Sequence, residues 1–388
     1  MTANTRAIKL QQSDEGWPIV LVLIWLSLLG AFVTNIQPVF IGALSEAFLF
    51  NAQQLGFIAG IELGGAALAS ICAVFWFGKI NLRKLCFAAL LVLVLGNLLT
   101  TWIASYPLLL TVRFLCGFLG SGVIYAMTVG LIGQLPNTER NVAIMVISQV
   151  LFLSISMVIL PMLLNAWQLK GMTFVMTILY ATGLIFIPFI PKFGVERKDV
   201  AHNNHCNKNA HILSRGLLVS IIVFFIGLGC LWVFLERIGD INGFSLTDIG
   251  NALAIGGLIG GIGAAIPAIF GKRFGRLLPL SLGLIGQIFV CFLLLTRHDW
   301  MSYLIAISLF NLFWNLVLPY LFGAIAKVDN SGRYMVLIPA AQSAGMAIGP
   351  MLVSMFIVGD SYYTAAWISM VVFTLCLMIT VPLFRRMP

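Results

Sequence analysis

Long apolar runs separated by short polar punctuation dominate the chain. "IVLVLIWLSLLGAFV" (19–33) and "MVVFTLCLMITVPLF" (370–384) are two of them. A helix needs roughly 20 predominantly apolar residues to cross a bilayer. Read with that length, the punctuation predicts twelve membrane helices. They cover 17–42, 53–77, 83–103, 106–134, 141–165, 171–191, 215–238, 247–271, 276–296, 300–326, 333–357 and 361–384. One long polar segment, 192–214, divides six spans from six. The expected organisation is an N-terminal bundle (1–191), a linker (192–214) and a C-terminal bundle (215–388). The fold class is all-α integral membrane.

Composition agrees. The chain is 61% hydrophobic and 9% charged, where soluble domains average roughly 45–50% and 25%. A single globular core cannot hide that excess. The first apolar run is too long for a signal-peptide core and has no small-residue cleavage site, so a retained first span is expected. The seven cysteines are scattered singly, mostly inside spans, as small buried apolar residues, and no disulfide framework is implied.

Charge sets orientation. The N-terminus, the loops after helices 2, 4, 6, 8 and 10, and the C-terminus hold 18 of the 22 Lys and Arg residues. The opposite side holds Lys170, Arg237 and Arg297, and Arg113 lies within a span. By the positive-inside rule both termini and the linker are cytoplasmic. The net charge of +9 is then a topology signal, and no nucleic-acid partner is expected.

The chain also repeats itself. "VGLIGQLPNTER" (129–140) returns faintly as "FGAIAKVDNSGR" (322–333), with Gly130, Ile132, Asn137 and Arg140 matching Gly323, Ile325, Asn330 and Arg333. "GKINLRKL" (78–85) pairs with "GKRFGRLL" (271–278), and Gln149 with Gln342, at the same offset of 193. With six spans per half the copies are parallel repeats. Such repeats typify transporters that rock one half against the other around a midplane site.

These motifs resemble the major facilitator superfamily over the whole chain, and "GIELGGAALAS" and "WVFLERIG" resemble a poorly characterised bacterial branch of it. The family's loop signature, G-x-x-x-D-R-x-G-R-R, is kept in part as Arg273, Gly275 and Arg276, and as Arg83 and Lys84. Lys79 and Lys272 replace its acidic residue. The resemblance implies a cytoplasmic gate at Lys79, Arg83, Lys272 and Arg276, with altered latch chemistry. "RFLCGFLGSG" matches the helix 4 signature through Arg113, Gly117, Gly120 and Gly122. The antiporter signature G-x-x-x-G-P is missing from helix 5 and occurs in helix 11, at Gly345, Gly349 and Pro350. The resemblance implies the twelve-helix facilitator fold. It further implies a monomeric secondary transporter of a small organic solute in a bacterial inner membrane, with export slightly favoured.

Ionisable residues inside spans mark function, pairing or water. Glu62 in helix 2 and Arg113 in helix 4 lie at similar depth, which permits a pair. Ile255 and Ala306 occupy their repeat positions. The functional reading makes them the proton-coupling site, because burial and the arginine pull the carboxyl's proton affinity in opposite directions. The competing reading is a static ion pair. Glu236 and Arg237 end helix 7 as either a solvated rim or an outer gate. Asp248 after Ser245 reads as helix capping. Candidate cavity residues are Asn35, Gln37, Tyr125, Gln149, Asn311, Trp314, Asn315 and Gln342. Helix–helix hydrogen bonding explains each amide equally well.

The glycines of "AIGGLIGGIGAA" predict close helix packing. No GxxxxGK[ST] loop supports an ATP-driven pump. His202, His205, Cys206 and His211 in the linker read as a solvated segment, with metal sensing as the sharper alternative. No cofactor, no resident metal and no enzymatic constellation are expected. The partners expected are a small-molecule substrate, protons and the lipid bilayer. The alternatives are a transporter-like sensor or scaffold that binds without transport, and a metal-chelate importer.

Overall fold

The computed structural model describes residues 17–77, 79–103, 105–135, 137–193, 208–270, 275–329, 333–359 and 361–387. Among them, eleven helices are long and apolar enough to cross a membrane. The first three are α1 (Trp17–Phe48), α2 (Ala52–Trp76) and α3 (Leu82–Thr100). Asn51 and Asn81 cap the latter two, each accepting backbone N–H bonds of the first turn. α4 is composite: Tyr106–Leu115, a π-helical turn Cys116–Ser121, then Gly122–Ile132.

Residues Thr138–Phe186 run as one helix of 49 residues, interrupted at Gln168 with φ 55 and ψ −155. Unbroken, it would measure about 74 Å, more than twice the ~30 Å of a hydrocarbon core. Gln168 divides it into α5 (138–167) and α6 (169–186), where the sequence places its fifth and sixth spans. The C-terminal half contains α7 (Lys208–Trp232), with a short second limb Leu235–Ile241, then α8 (Leu246–Phe270) and α9 (Leu277–Thr296). α10 (Trp300–Val328), α11 (Arg333–Ser354) and α12 (Tyr363–Arg385) complete it.

Two boundaries differ from the sequence reading. Residues 208–214 of the expected linker form the first turns of α7. Contacts to α11 hold them there: His211 Nδ1 lies 3.2 Å from the Tyr334 hydroxyl, and Arg215 Nε donates to the same oxygen at 3.3 Å. The seventh span is also not one helix, since the chain turns at Val233 and Phe234 before the second limb. His202, His205, Cys206 and Lys272 lie outside the described residues.

One face of the bundle carries the start of α1, α3 and α5 and the end of α6. The Arg140 guanidinium covers the Trp17 ring at 4.7 Å, and the Leu82 amide donates to the Lys192 carbonyl at 2.7 Å. We term this the linker face. At the far face, Lys170 sits 5.9 Å above the Trp102 ring. Cation–aromatic pairs at both ends are where amphipathic side chains settle at membrane boundaries.

The halves meet along two seams of glycine. On α2, a Cβ built on Gly56 would lie 2.5 Å from the Pro350 carbonyl of α11, one on Gly60 2.7 Å from the Ala347 carbonyl, and one on Gly64 3.8 Å from Ala347 Cβ. On α8, a Cβ on Gly250 would lie 2.5 Å from Pro161 of α5, one on Gly257 2.9 Å from Ser154 Oγ, and one on Gly261 3.8 Å from Val150. Both series start at the far face and loosen inward. The approach is closest near the far face and eases to van der Waals contact at Gly64 and Gly261. The Ser154 hydroxyl donates to the Ala254 carbonyl at 3.1 Å within the second seam. The packing role expected for the glycine-rich stretch of α8 is met, since Gly256, Gly260 and Gly263 lie against α10.

Candidate functional site

Glu62 and Arg113 face each other across α2 and α4, with Nη2 3.8 Å from Oε1 and side chains 4% and 0% exposed. The local backbone explains the approach. A Cβ on Gly117 would overlap the Glu62 carbonyl, and one on Gly65 would lie 2.7 Å from the Phe114 carbonyl. Glycine at both points lets the two helices touch by their backbones. The π-helical turn begins three residues after Arg113. Such turns are uncommon and frequently accompany functional sites.

Other side chains complete the environment. The Arg113 guanidinium stands 5.2 Å over the Phe40 ring of α1, and Nη1 donates to Asn97 Oδ1 of α3 at 3.5 Å. Tyr180 of α6, fully buried, lies within electrostatic reach of both charges. Gln37 donates to the Ala59 carbonyl of α2 at 3.3 Å. Among the described residues, five buried polar atoms in this cluster have no hydrogen-bond partner: Gln37 Oε1, Glu62 Oε1, Arg113 Nε and Nη2, and Tyr180 Oη. Buried polar groups are normally paired. The ion pair is therefore a loose one, set amid unpartnered donors and acceptors. Tyr180, Asn97 and Phe40 escape the sequence reading. Asn97 is the one with a visible signal, an amide inside the apolar run of α3.

Glu236 and Arg237 form the second charged cluster. They are 1% and 8% exposed, which overturns the solvated-rim reading. Arg237 Nε donates to Glu236 Oε2 at 2.9 Å, and Nη2 lies 3.2 Å from Asp240. The same guanidinium reaches across to α1, 3.3 Å from Ser45 Oγ and 3.7 Å from Glu46. A Cβ on Gly42 would overlap the Glu236 carboxylate. The second limb of α7 is thus tied to α1 at the far face. Further along the same pair of helices, towards the middle of α1, the Trp232 indole donates to the Thr34 carbonyl at 3.0 Å.

The cavity candidates separate into groups. Gln37 belongs to the Glu62 cluster rather than to a cavity wall. Asn35 is half-buried beside the Trp232–Thr34 contact. Tyr125 and Gln149 are both half-buried, on α4 and α5. Asn311 and Asn315 donate to backbone carbonyls one turn earlier on α10 and pack against Gly256 and Gly260. Trp314 meets Phe225, Trp232 and Phe310 edge-on, with centroids 5.8–6.3 Å apart. Gln342 is half-buried midway along α11.

At the linker face, Lys79 is exposed and Arg276 half-buried. Arg83 donates to the Ile190 carbonyl at 2.6 Å, a bond inside the N-terminal half. Ser245 and Asp248 cap α8 as expected, the Asp248 amide donating to Ser245 Oγ at 3.1 Å.

Comparison with known proteins places this geometry. The sequence profile described as Major Facilitator Superfamily matches residues 22–319 and 217–388. No curated protein matches the sequence. Among solved structures, the fold is similar to a nucleoside transporter, NupG, with TM-score 0.75 and 13% identity over 94% of this chain and 99% of that one. It is similar to a bacterial homologue of the human lysosomal transporter Spinster, inward-facing and unoccupied, with TM-score 0.75 and 12% identity over 97% and 98%. It is also similar to a D-xylose–proton symporter, with TM-score 0.73 and 14% identity over 93% and 97%.

Proposed function

This chain belongs to the Major Facilitator Superfamily, and on that premise we propose that it is a proton-coupled secondary transporter of a small organic solute. The bacterial inner membrane is its site and export its favoured direction. The linker face is the cytoplasmic one, as the distribution of Lys and Arg requires. The tighter approach of both seams at the far face supports a state closed on that side.

One observation carries the coupling. Glu62 lies on α2 between Gly60 and Gly64, the residues at which the seam with α11 loosens. The helix that bears the carboxylate is the helix that slides when the halves rock. With Glu62 ionised, attraction to Arg113 holds α2 against α4. With Glu62 protonated, the attraction falls and Arg113 turns to Asn97 and Phe40. A proton on one oxygen thereby biases a seam between the two halves. The xylose–proton symporter of similar fold supports the class of mechanism. Glu236 and Arg237 act in the same cycle as the far-face gate, parting from Ser45 and Glu46 when that face opens. Asn35, Tyr125, Gln149, Asn311, Trp314, Asn315 and Gln342 line the path between them. Lys79, Arg83, Lys272 and Arg276 ring the cytoplasmic mouth.

The test uses purified protein in liposomes. A panel of organic anions, amines, sugars and lipophilic drugs is first screened by thermal shift, and hits are then offered as radiolabelled solutes. Glu62→Gln is expected to abolish accumulation driven by a pH gradient while counterflow of the same solute continues. If accumulation and counterflow disappear together, the pair is structural and the coupling assignment fails. If neither changes, the proton enters elsewhere.

A further inference from the structure

We infer that the edge between α3 and α6 holds an anionic phospholipid at the linker face, its phosphate on Arg83, Lys84 and Lys192 and its chains along the outer faces of the two helices. Backbone bonds fix where the cations stand. The Leu82 amide donates to the Lys192 carbonyl at 2.7 Å, which seats the segment that follows α6 on the first turn of α3. Arg83 Nε donates to the Ile190 carbonyl at 2.6 Å, so the guanidinium leans the same way. Asn81 Oδ1 accepts the Arg83 and Lys84 amides at 3.1 and 3.4 Å. The helix end is therefore already capped, and an incoming anion meets side-chain charge. Lys84 and Lys192 are exposed and Arg83 is half-buried.

Nothing of the protein's own neutralises the three cations. Among the described residues none of them pairs with a carboxylate. The sequence gives the reason: no Asp or Glu occurs from 63 to 138 or from 140 to 195. Cations held together repel one another, and an anion between them relieves that repulsion. A topology signal requires only that Lys and Arg lie in the loops. It does not require two segments 107 residues apart to be bonded so that their cations stand side by side.

The lipid chains have a matching surface. Lys84 heads a stripe on α3 that continues through Phe87, Leu91, Leu95 and Leu98, and these four are 39–50% exposed. Residues spaced by three and four share one face of a helix. Leu90 packs on α6, where a Cβ on Gly183 would lie 2.8 Å from its Cδ2, and Leu93 packs on Gly120 of α4. The stripe lies beyond Leu90, on the flank of α3 turned away from α4. At the linker end of α6, Ile185 and Phe189 are 67% and 59% exposed. Such a surface takes acyl chains of any lipid, and the headgroup decides which. Each Lys or Arg near the membrane surface favours an anionic lipid by roughly fivefold, whereas a zwitterionic headgroup carries its own ammonium into the cluster.

The test titrates the purified full-length protein with dioleoylphosphatidylglycerol, with dioleoylphosphatidylcholine and with inorganic phosphate. Binding is read by thermal shift and by the adducts retained in native mass spectrometry, so no part of it depends on transport. Phosphatidylglycerol is expected to raise the melting temperature and to remain bound at concentrations where the other two do neither. Lys84→Gln with Lys192→Gln should weaken its binding about twentyfold. Lys84→Arg with Lys192→Arg keeps both charges and should keep the preference. Arg385→Gln with Arg386→Gln removes an exposed pair at the end of α12 and should change nothing. The ratio of retained phosphatidylglycerol to phosphatidylcholine decides even where a variant melts early. Equal binding of phosphatidylcholine overturns the inference, because the stripe alone would then suffice. Equal stabilisation by inorganic phosphate removes the lipid as occupant. An equal loss from the α12 pair, or no loss from the Lys84 and Lys192 pair, assigns the effect to diffuse charge and overturns the site.

Discussion

Arg113→Leu should destabilise the protein more than any other single substitution described here, by about 3–5 kcal/mol, the usual consequence of stranding one member of a buried ion pair. Glu62 is 3% exposed, and Arg113 is its only ionic partner among the described residues. Removing the guanidinium leaves a buried carboxylate with no other ionic partner among the described residues. The protein answers by protonating Glu62 or by losing the contact between α2 and α4. Either response lowers thermal stability in detergent, and the drop should be largest at high pH, where protonating the stranded carboxyl is most unfavourable. Glu62→Leu with Arg113→Leu removes both charges and should recover most of the loss. Unfolding curves for the two single variants and the double variant give the coupling directly. If Arg113→Leu melts with the wild type at every pH, the pair contributes neither structure nor a controlled charge.

The second large effect concerns the seams. Gly56→Leu and Gly250→Leu place four carbons where the far ends of α2 and α8 meet α11 and α5 through their backbones. The nearest atoms include the Pro350 carbonyl for Gly56 and the Met157 carbonyl for Gly250, and backbone cannot rotate out of the way. Overpacking of this kind costs roughly 1–3 kcal/mol per site. The cost falls only on the state in which the far face is shut. Together the two wedges should move the balance between far-open and far-closed forms by about a hundredfold or more, since 1.4 kcal/mol is tenfold. Spin labels on Gln53→Cys and Val358→Cys, both exposed at the far face, report the result as a longer distance. Gly64→Leu, at the loose part of the same seam, should leave that distance unchanged. A shift from Gly64→Leu equal to that from Gly56→Leu would mean that the seams do not hinge as described.

The all-helical membrane character and the apolar runs that become membrane helices were legible in the sequence, because bilayer length and backbone satisfaction leave few alternatives to such runs. Glu62 and Arg113 were legible for the same reason, since a charge at that depth needs an explanation. What the sequence hid were features that cost nothing in composition. Tyr180 looks like any aromatic in an apolar helix, and only the fold brings it to the pair. The π-helical turn follows Arg113 in a stretch that reads as ordinary helix. The break at Val233 and Phe234 carries neither proline nor glycine, and it turned a supposed rim into a buried contact between Arg237 and α1. Gln37, taken for a cavity residue, points into the N-terminal bundle because its register on α1 follows Phe40 rather than Asn35.

The glycine seams also bear on speed. Glycine on one side of each seam keeps the interlocking side chains few, mainly Met351 and Ser354 on α11 and Ser154 and Pro161 on α5. The directional bonds between the halves are then the ones that must break on switching: the Trp232 indole on Thr34, the Arg237 guanidinium on Ser45 and Glu46, Ser154 on the Ala254 carbonyl and Asn165 on Thr247. Turnover in such a machine waits on its bolts as well as its hinges.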